Sequence, residues 1–224
     1  MAASPWADDL QRIGALQGRL NGEVALLIGL AAAVVAFLPA LWDLGQHLNT
    51  AAHEGGHALM AVLVGHRVMS VKMQMNGDGL TLHQGDYSFL VSVAGYLSPG
   101  LLGLGAAKLI AMGHIVAVLW LYLLGLAILL IVARGWFAPV WIVTAGFLLY
   151  LTVRYADLGF QVLVAYGMTW LLLISGFTMV LAHWTGAGDA QNLRAHTHLF
   201  KGFWAFLWLL GSTLTLIVGT TLLV

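Results

Sequence analysis

Apolar segments of about 20 residues follow one another along almost the whole chain. The hydrocarbon core of a bilayer is about 30 Å thick, and an α-helix of roughly 20 apolar residues crosses it. Scanning at this length predicts spans near 22–41, 43–65, 87–111, 114–133, 136–153, 158–182 and 199–224. With 61% hydrophobic and 8% charged residues, the 224-residue chain is predicted to be an all-α polytopic membrane protein with six to seven transmembrane helices. The second segment is the most polar, so six spans and one re-entrant segment is the alternative.

The sequence suggests two parts, a polar N-terminal segment at 1–21 that is retained and a single membrane-embedded domain at 22–224. The lysine and arginine residues predict a cytoplasmic N-terminus and a C-terminus on the outer side of the membrane. On this topology the outer side keeps only Lys108 and Arg154. The inner side collects Arg12, Arg19, Arg67, Lys72, Arg134, Arg194 and Lys201.

Charge and cysteine content exclude several kinds of site. The formal net charge is zero and no basic cluster is present, so no nucleic-acid partner is expected. The chain has no cysteine, which excludes disulfides, thiol nucleophiles and zinc sites built on thiolates. A metal ion bound by this protein must therefore use histidine, aspartate, glutamate or water.

A β-hairpin is predicted after the second span. Residues 69–76 alternate apolar and polar side chains, which is the period of a β-strand, and Asn-Gly-Asp-Gly at 76–79 is a strong turn signal. An ordinary amphipathic loop is the alternative. Strand edges cannot remain unpaired in lipid, so the hairpin is expected at the interface or within the bundle, near the inner end of the second span. The apolar positions of its first strand are Met69, Val71, Met73 and Met75.

The second span carries the sequence His-Glu-Gly-Gly-His at 53–57. On a helix, His53 and His57 project from one face about one turn apart, which is the geometry that lets two imidazoles bind one zinc ion. Glu54 points about 100° away and can reach a water molecule on the same ion. A carboxylate at this depth costs several kcal/mol unless something compensates its charge, and a divalent ion does so. The alternative is a metal-free polar cluster, hydrogen-bonded across helices, with Glu54 protonated.

A catalytic zinc ion needs a third protein ligand and keeps its fourth position for water. Asp189 lies in a short loop after the sixth span, where Gly188 allows the chain to bend back toward the bundle. A plain N-cap of the following helix is the simpler interpretation of this aspartate. The spacing of acidic residues alone leaves four candidates for the third ligand: Asp78, Asp86, Asp157 and Asp189.

Four stretches together carry a family resemblance: HEGGHALMAVLVGHRV, the glycine-containing hairpin, LVSVAGYLSPGLLG and GDAQNLRAHTHLFKGFWAFLWL. They resemble the small bacterial membrane metallopeptidases of the site-2 protease type, the B-like branch of peptidase family M50, over residues 49–208. The resemblance implies a location in the bacterial plasma membrane and a catalytic carboxylate at Glu54. The zinc ligands that it implies are His53, His57 and Asp189.

The sequence therefore predicts an intramembrane zinc metalloendopeptidase that hydrolyses peptide bonds of membrane-anchored proteins through a zinc-activated water molecule. A transmembrane substrate must first be held in extended form, and a hairpin edge can do this by strand addition. The residues predicted to form that edge are Met69, Val71, Met73 and Met75; a packed lid is the alternative. A divalent metal transporter or sensor, and a pseudoprotease that binds membrane helices without cutting them, are the alternative functions.

Two further polar residues precede the histidine pair. His47 and Asn49 lie one to two turns before His53, where they can hydrogen-bond the metal ligands from behind and fix their orientation. The polar start of a helix at the membrane interface explains them equally well.

Overall fold

The computed structural model describes residues 11–182 and 188–224, so residues 1–10 of the predicted polar segment lie outside the described part of the chain. The chain is 77% helical, which confirms the predicted fold class. The helices are α1 (Gly22–Phe37), α2 (Pro39–Leu63), α3 (Phe89–Ala111), α4 (Ile115–Val132), α5 (Phe137–Tyr155), α6 (Leu158–Ala182), α7 (Asp189–Thr197) and α8 (Lys201–Leu223). Two strands, β1 (Arg67–Met73) and β2 (Gly79–Gln84), lie between α2 and α3.

Within the described residues, five helices are long and apolar enough to cross a membrane: α3, α4, α5, α6 and α8. Helix α1 is apolar, but its 16 residues extend over only about 24 Å at 1.5 Å per residue. Helix α2 has 25 residues and is less apolar, because it carries the histidine motif. These helices make the chain an integral membrane protein, as predicted.

Helices α1 and α2 follow α6 in the same direction and together make one crossing of the bundle. Pro39 opens α2 directly after Leu38, whose extended backbone (ψ 120°) ends α1. The break between the two helices is therefore a single residue. A Cβ added at Gly45 would lie 3.5 Å from Cγ1 of Val35, so the first turns of α2 lie beside the last turns of α1 before α2 continues to the far side of the bundle. Contacts with α6 advance along both helices in the order Leu20–Tyr166, Gly29–Trp170 and Asn49–Met179.

The start of α1 and the end of α8 lie together. Gly22 packs against Val224, and the Arg19 guanidinium donates a hydrogen bond to the carbonyl of Leu222 at 2.7 Å. We call the side of the bundle with β1, β2, the 133–136 turn and α7 the hairpin end. The side with the start of α1 and the end of α8 is the opposite end. Because α1 and α2 make one crossing, the chain crosses six times. The predicted placement of the two termini on different sides of the membrane is therefore wrong.

This arrangement of the chain also changes which side of the membrane each lysine and arginine residue is assigned to. The backbone N–H of Gln17 donates a hydrogen bond to the Gly113 carbonyl at 2.8 Å, which holds the N-terminal segment at the turn after α3. The opposite end thus has four of the chain's nine lysine and arginine residues: Arg12, Arg19, Lys108 and Arg154. The hairpin end has the other five. The two ends therefore differ by only one lysine or arginine residue, and this difference does not indicate which end faces the cytoplasm. A cytoplasmic N-terminus stays a prediction.

Helix α3 is central, since it packs against α2, α6 and α8. Small residues allow its close approach to α6: a Cβ added at Gly176 would lie 3.1 Å from the backbone nitrogen of Gly100. A Cβ at Gly103 would similarly lie 3.0 Å from the backbone nitrogen of Leu173. Glycines at such crossings let two helix backbones come together in a membrane. The crossing fixes α3 beside the histidine-bearing face of α2.

The two strands form the predicted antiparallel hairpin, with Met73 paired with Gly79 at the turn. The register shifts between Val68 and Ser70, so that Met69 is an extra residue in β1. A bulge of this kind changes the phase of the alternation by one residue.

The bulge separates side chains that the alternation places on one face. Val71 and Met73 are buried against the bundle, whereas Met69 and Met75 are exposed. The side of β1 away from β2 is also occupied at one point, since the Arg134 amide donates to the Val71 carbonyl at 2.8 Å. The hairpin is therefore fastened to the 133–136 turn along β1, while β2 pairs with no other strand of the described chain.

Candidate metal centre

The histidine pair lies on the buried face of α2. His53 and His57 are 6% and 8% exposed, and their ring planes are nearly perpendicular at 84°. Their Nε2 atoms are 3.1 Å apart. The helical spacing of four residues has thus brought two ring nitrogens to one point, as the motif predicts.

Asp189 completes the group from a site 132 residues later in the chain than His57. Its Oδ2 atom lies 3.0 Å from Nε2 of His57 and 3.2 Å from Nε2 of His53. Asp189 is the first residue of α7, and the N-cap position is taken by Gly188, whose φ of 108° is readily adopted by glycine. The interpretation of Asp189 as the N-cap is therefore wrong.

Helix α7 is held in place by a small apolar cluster. Leu193 is fully buried and Ala190 nearly so, in contact with the cluster that includes Trp204 and Trp208 of α8. The nine residues of α7 are too few for a stable isolated helix, so tertiary packing supplies its order. This packing places the Asp189 carboxylate over the histidines.

The other acidic candidates have different partners. Asp78 accepts a hydrogen bond from the Asn76 side chain in the hairpin turn, at 2.8 Å. Asp157 accepts from the Phe160 amide at the opposite end of the bundle. Asp86 is exposed. Across the described residues, the group of histidine and acidic side chains able to hold a metal ion is His53, His57 and Asp189.

The three ligand atoms fit a zinc ion. A tetrahedral ion with bonds of about 2.0–2.2 Å requires ligand atoms about 3.3–3.6 Å apart. The observed separations of 3.0, 3.1 and 3.2 Å are within a few tenths of an ångström of that requirement. Two imidazole nitrogens and one carboxylate oxygen are also a donor set found in catalytic zinc sites, with one position left for water.

The tautomer of His57 suits a ligand. Its Nδ1 atom lies 2.7 Å from the carbonyl oxygen of Val91 on α3. A carbonyl only accepts, so Nδ1 carries the hydrogen and donates it. In the neutral ring, Nε2 then keeps its lone pair facing Asp189 and His53. A backbone carbonyl behind a ligating histidine fixes the ring in this way in many metal sites.

The electrostatics favour an ionised Asp189. Burial alone would raise the pKa of this carboxyl, but when His53 and His57 are protonated their hydrogen bonds and positive charge outweigh burial and hold the pKa well below its usual range. A cation bound to the neutral rings supplies the positive charge instead. Stability contributed by a carboxylate with a lowered pKa is present above the unfolded value, about 3.9 for aspartate. It is lost only as the pH falls through the lowered folded value, so Asp189 remains a carboxylate at neutral pH.

Glu54 is buried beside this group but is held by the hairpin. The Thr81 hydroxyl on β2 lies 2.6 Å from Oε2 of Glu54 and donates to it. A Cβ added at Gly79 would lie 2.7 Å from the carboxyl carbon of Glu54, so any side chain there would displace the carboxylate from this position. The second strand therefore positions the glutamate, and sequence reasoning missed both residues because it could not place the hairpin relative to α2.

Thr81→Val should separate orientation of Glu54 from metal binding. Valine keeps the branched shape of threonine and removes the hydroxyl that holds the carboxylate. We expect a peptidase rate about 10-fold lower, in the range typical for loss of a supporting hydrogen bond, with unchanged zinc content. Thr81→Ser keeps a hydroxyl and should retain most of the rate. Equal rates for the valine and serine variants would show that this hydrogen bond does not position Glu54.

Gly95 on α3 lies directly against the histidines. A Cβ added there would lie 2.6 Å from Cε1 of His57 and 2.7 Å from Cε1 of His53. Real Cβ atoms do not come so close to other heavy atoms, so an alanine would displace the imidazoles or α3. The absence of a side chain at this position is thus part of the site.

Gly95→Ala is accordingly expected to weaken zinc binding and to destabilise the fold by about 1–3 kcal/mol, the usual cost of overpacking. Gly105→Ala is a matched control on the same helix, because a Cβ there meets nothing within 4 Å. Alanine at position 105 should be neutral or slightly stabilising, since glycine is the weaker helix former. Zinc content and thermal unfolding measure both effects. Normal zinc binding by Gly95→Ala would contradict this account of the site.

His47 and Asn49 are buried on α2, with contacts to neighbouring helices. The His47 ring packs 5.0 Å from the ring of Phe137 on α5. The Asn49 amide donates to the sulfur of Met179 on α6 at 2.8 Å. Their predicted role in orienting the metal ligands stays a prediction.

The helical bundle encloses two buried imidazoles, a carboxylate and a neighbouring glutamate. These features define the class of membrane proteins with a candidate hydrolytic metal centre. The profile of the peptidase M50B-like family matches residues 26–219. The chain belongs to this family of membrane metallopeptidases, and the resemblance seen in the sequence is confirmed. Comparison with curated proteins and with solved structures gave no match.

Proposed function

We propose that the protein is an intramembrane zinc endopeptidase that cleaves membrane-anchored proteins. The observation that carries this proposal is the meeting of Nε2 of His53, Nε2 of His57 and Oδ2 of Asp189 within 3.2 Å of one another. Glu54 follows His53 directly and is buried beside them. Membership of a metallopeptidase family gives the same class of reaction.

In this proposal His53, His57 and Asp189 hold the ion, and Glu54 moves the proton. Zinc in such a donor set acts as a Lewis acid and lowers the pKa of bound water toward neutrality. Glu54 accepts a proton from the attacking water and returns it to the amine that leaves when the peptide bond breaks. Thr81 holds the carboxylate, so the proton is received at a fixed position.

The hairpin suggests how an extended substrate is presented. The strand next to Glu54 is β2, through Thr81 and Gly79, whereas the outer side of β1 is bonded to Arg134 at Val71. A peptide added along the free side of β2 would pass beside Glu54 with its backbone paired. We therefore place the substrate strand on β2. The assignment of the substrate-binding edge from sequence to Met69, Val71, Met73 and Met75 stays an untested prediction.

The direct test uses the purified chain in phospholipid vesicles with Zn²⁺. The substrates are a mixture of synthetic single-span peptides, each with a helix-breaking Asn-Gly pair at a varied depth, and mass spectrometry detects new peptide ends. We expect cleavage within the apolar segment of some peptides, stopped by 1,10-phenanthroline and restored by Zn²⁺. The best-cleaved sequence then serves as a reporter peptide.

A protein that binds zinc but produces no new peptide ends overturns the proposal. Two measurements on the same vesicles then separate the remaining functions. Uptake of Zn²⁺ into the vesicles would indicate a transporter, and retention of uncut peptides would indicate a protein that binds membrane helices.

A further inference from the structure

One tyrosine borders the metal centre and has no role in the reaction described so far. Tyr96 follows Gly95 on α3, and its ring meets the His53 ring edge-on, with centroids 4.8 Å apart and planes at 90°. The residue is 9% exposed, so the ring is enclosed on most sides. A ring so close to a metal ligand lies within reach of anything bound at the centre.

The ring of Tyr96 is clamped. The ring also stacks on Trp208 of α8, with centroids 4.4 Å apart and planes at 28°. Trp208 is itself fixed, because its indole N–H donates to the Val93 carbonyl at 3.2 Å. Contacts with both His53 and Trp208 restrict the rotation of the phenol ring.

The hydroxyl of Tyr96 is unused by the protein. It forms no hydrogen bond to any residue in the described part of the chain, yet it is not among the buried polar atoms sealed from solvent there. The Tyr96 side chain lies within electrostatic range of both Asp189 and Glu54. A buried tyrosine usually gives its hydroxyl a partner, as Tyr122 does with Thr169 at 3.2 Å. Tyr96 instead keeps a free donor on a ring that contacts His53.

We propose that Tyr96 is a catalytic residue whose hydroxyl donates a hydrogen bond to the oxygen of the scissile carbonyl as negative charge develops there. The inference deepens the proposed peptidase function and rests on it. A neutral phenol is a hydrogen-bond donor, and a fixed donor aimed at a developing oxyanion is among the most effective catalytic devices. The clamp of His53 and Trp208 supplies the required preorganisation. No proton changes place in this step.

Tyr96→Phe is the direct test, because it removes one oxygen that has no partner in the described part of the protein and keeps the clamped ring. With the reporter peptide, kcat should fall about 10²–10³-fold, the effect typical of losing one oxyanion donor. KM and zinc content should be unchanged. Tyr122→Phe is the matched control: it also removes a phenol hydroxyl from the bundle, but away from the centre, and should keep the wild-type kcat.

A second measurement does not depend on turnover. A phosphinic analogue of the reporter peptide places a charged tetrahedral oxygen where the oxyanion forms, whereas a hydroxamate analogue serves mainly as a zinc ligand. Tyr96→Phe should weaken binding of the phosphinate about 10-fold or more and bind the hydroxamate nearly as well as wild type.

The outcomes separate the two proposals. Wild-type kcat in Tyr96→Phe, an equal loss in Tyr122→Phe, or loss of zinc from Tyr96→Phe each overturns the role of the hydroxyl and leaves the peptidase function standing. A wild-type protein that cleaves none of the peptides overturns both proposals.

Discussion

Glu54→Gln is expected to lower the rate of peptide cleavage about 10²–10⁴-fold, the contribution typical of a positioned general base. Glutamine has nearly the shape of glutamate and can still accept the hydrogen bond from Thr81, so the hairpin should stay in place. It cannot accept a proton from water. Glu54 is not one of the three ligand side chains, and zinc content should therefore equal that of the wild type. The measurement is kcat with the reporter peptide, together with metal analysis of the same sample.

The chain offers a matched control, because it has one other glutamate, Glu23 in the first turn of α1. Glu23→Gln makes the same chemical change away from the metal centre, and it should keep full activity. Persisting cleavage by Glu54→Gln would remove the general base from the proposal. Loss of zinc along with activity would instead make Glu54 a ligand, contrary to the geometry described above.

The half of the candidate metal centre that lies on α2 could be predicted because its geometry is local. His53 and His57 are four residues apart, and the helical period alone places their rings on one face. The aspartate could not be derived in this way. Spacing left several acids open, and the family resemblance selected Asp189, because the packing of Leu193 against α8 that brings α7 to the histidines has no signature in local periodicity.

The hairpin shows a different limit. Alternation and the turn signal at 76–79 predicted both strands, but alternation assumes an unbroken register. The extra residue at Met69 shifts the phase, so Met69 is exposed while Val71 is buried. Sequence reasoning did not select Gly79 and Thr81, the residues of β2 that contact Glu54, because those contacts depend on where the hairpin packs against α2.

The predicted topology was wrong because α1 is shorter than a full membrane span. Seven apolar segments suggested an odd number of crossings, with one segment counted for each crossing. Helix α1 is too short for a full span, and after Leu38 the start of α2 packs beside the end of α1 before α2 completes the same crossing. Hydropathy records that a segment is apolar, and it does not record whether the chain turns back after it. The contact between Gly22 and Val224 requires an even number of crossings.

Asp189→Asn tests whether Asp189, which is distant in sequence from the histidines, is the third zinc ligand. Asparagine at this position would keep the size of the side chain and can still hydrogen-bond an imidazole, so α7 should remain packed through Leu193. A neutral amide is a poor zinc ligand, and the two histidines alone do not make a three-ligand site. We expect zinc affinity to fall more than about 100-fold, beyond the 10–100-fold typical of residues that only orient ligands. Cleavage of the reporter peptide should fall with it.

Asp86→Asn is the control for Asp189→Asn, since Asp86 is an exposed acid near the hairpin and its loss removes the same charge. Titration calorimetry with Zn²⁺ and metal analysis after dialysis give affinity and stoichiometry for both variants. The control should bind one zinc ion as tightly as the wild type. Wild-type affinity in Asp189→Asn would mean that the ion is held without α7, and the observed meeting of Asp189 with His53 and His57 would then be a polar contact in a helical bundle.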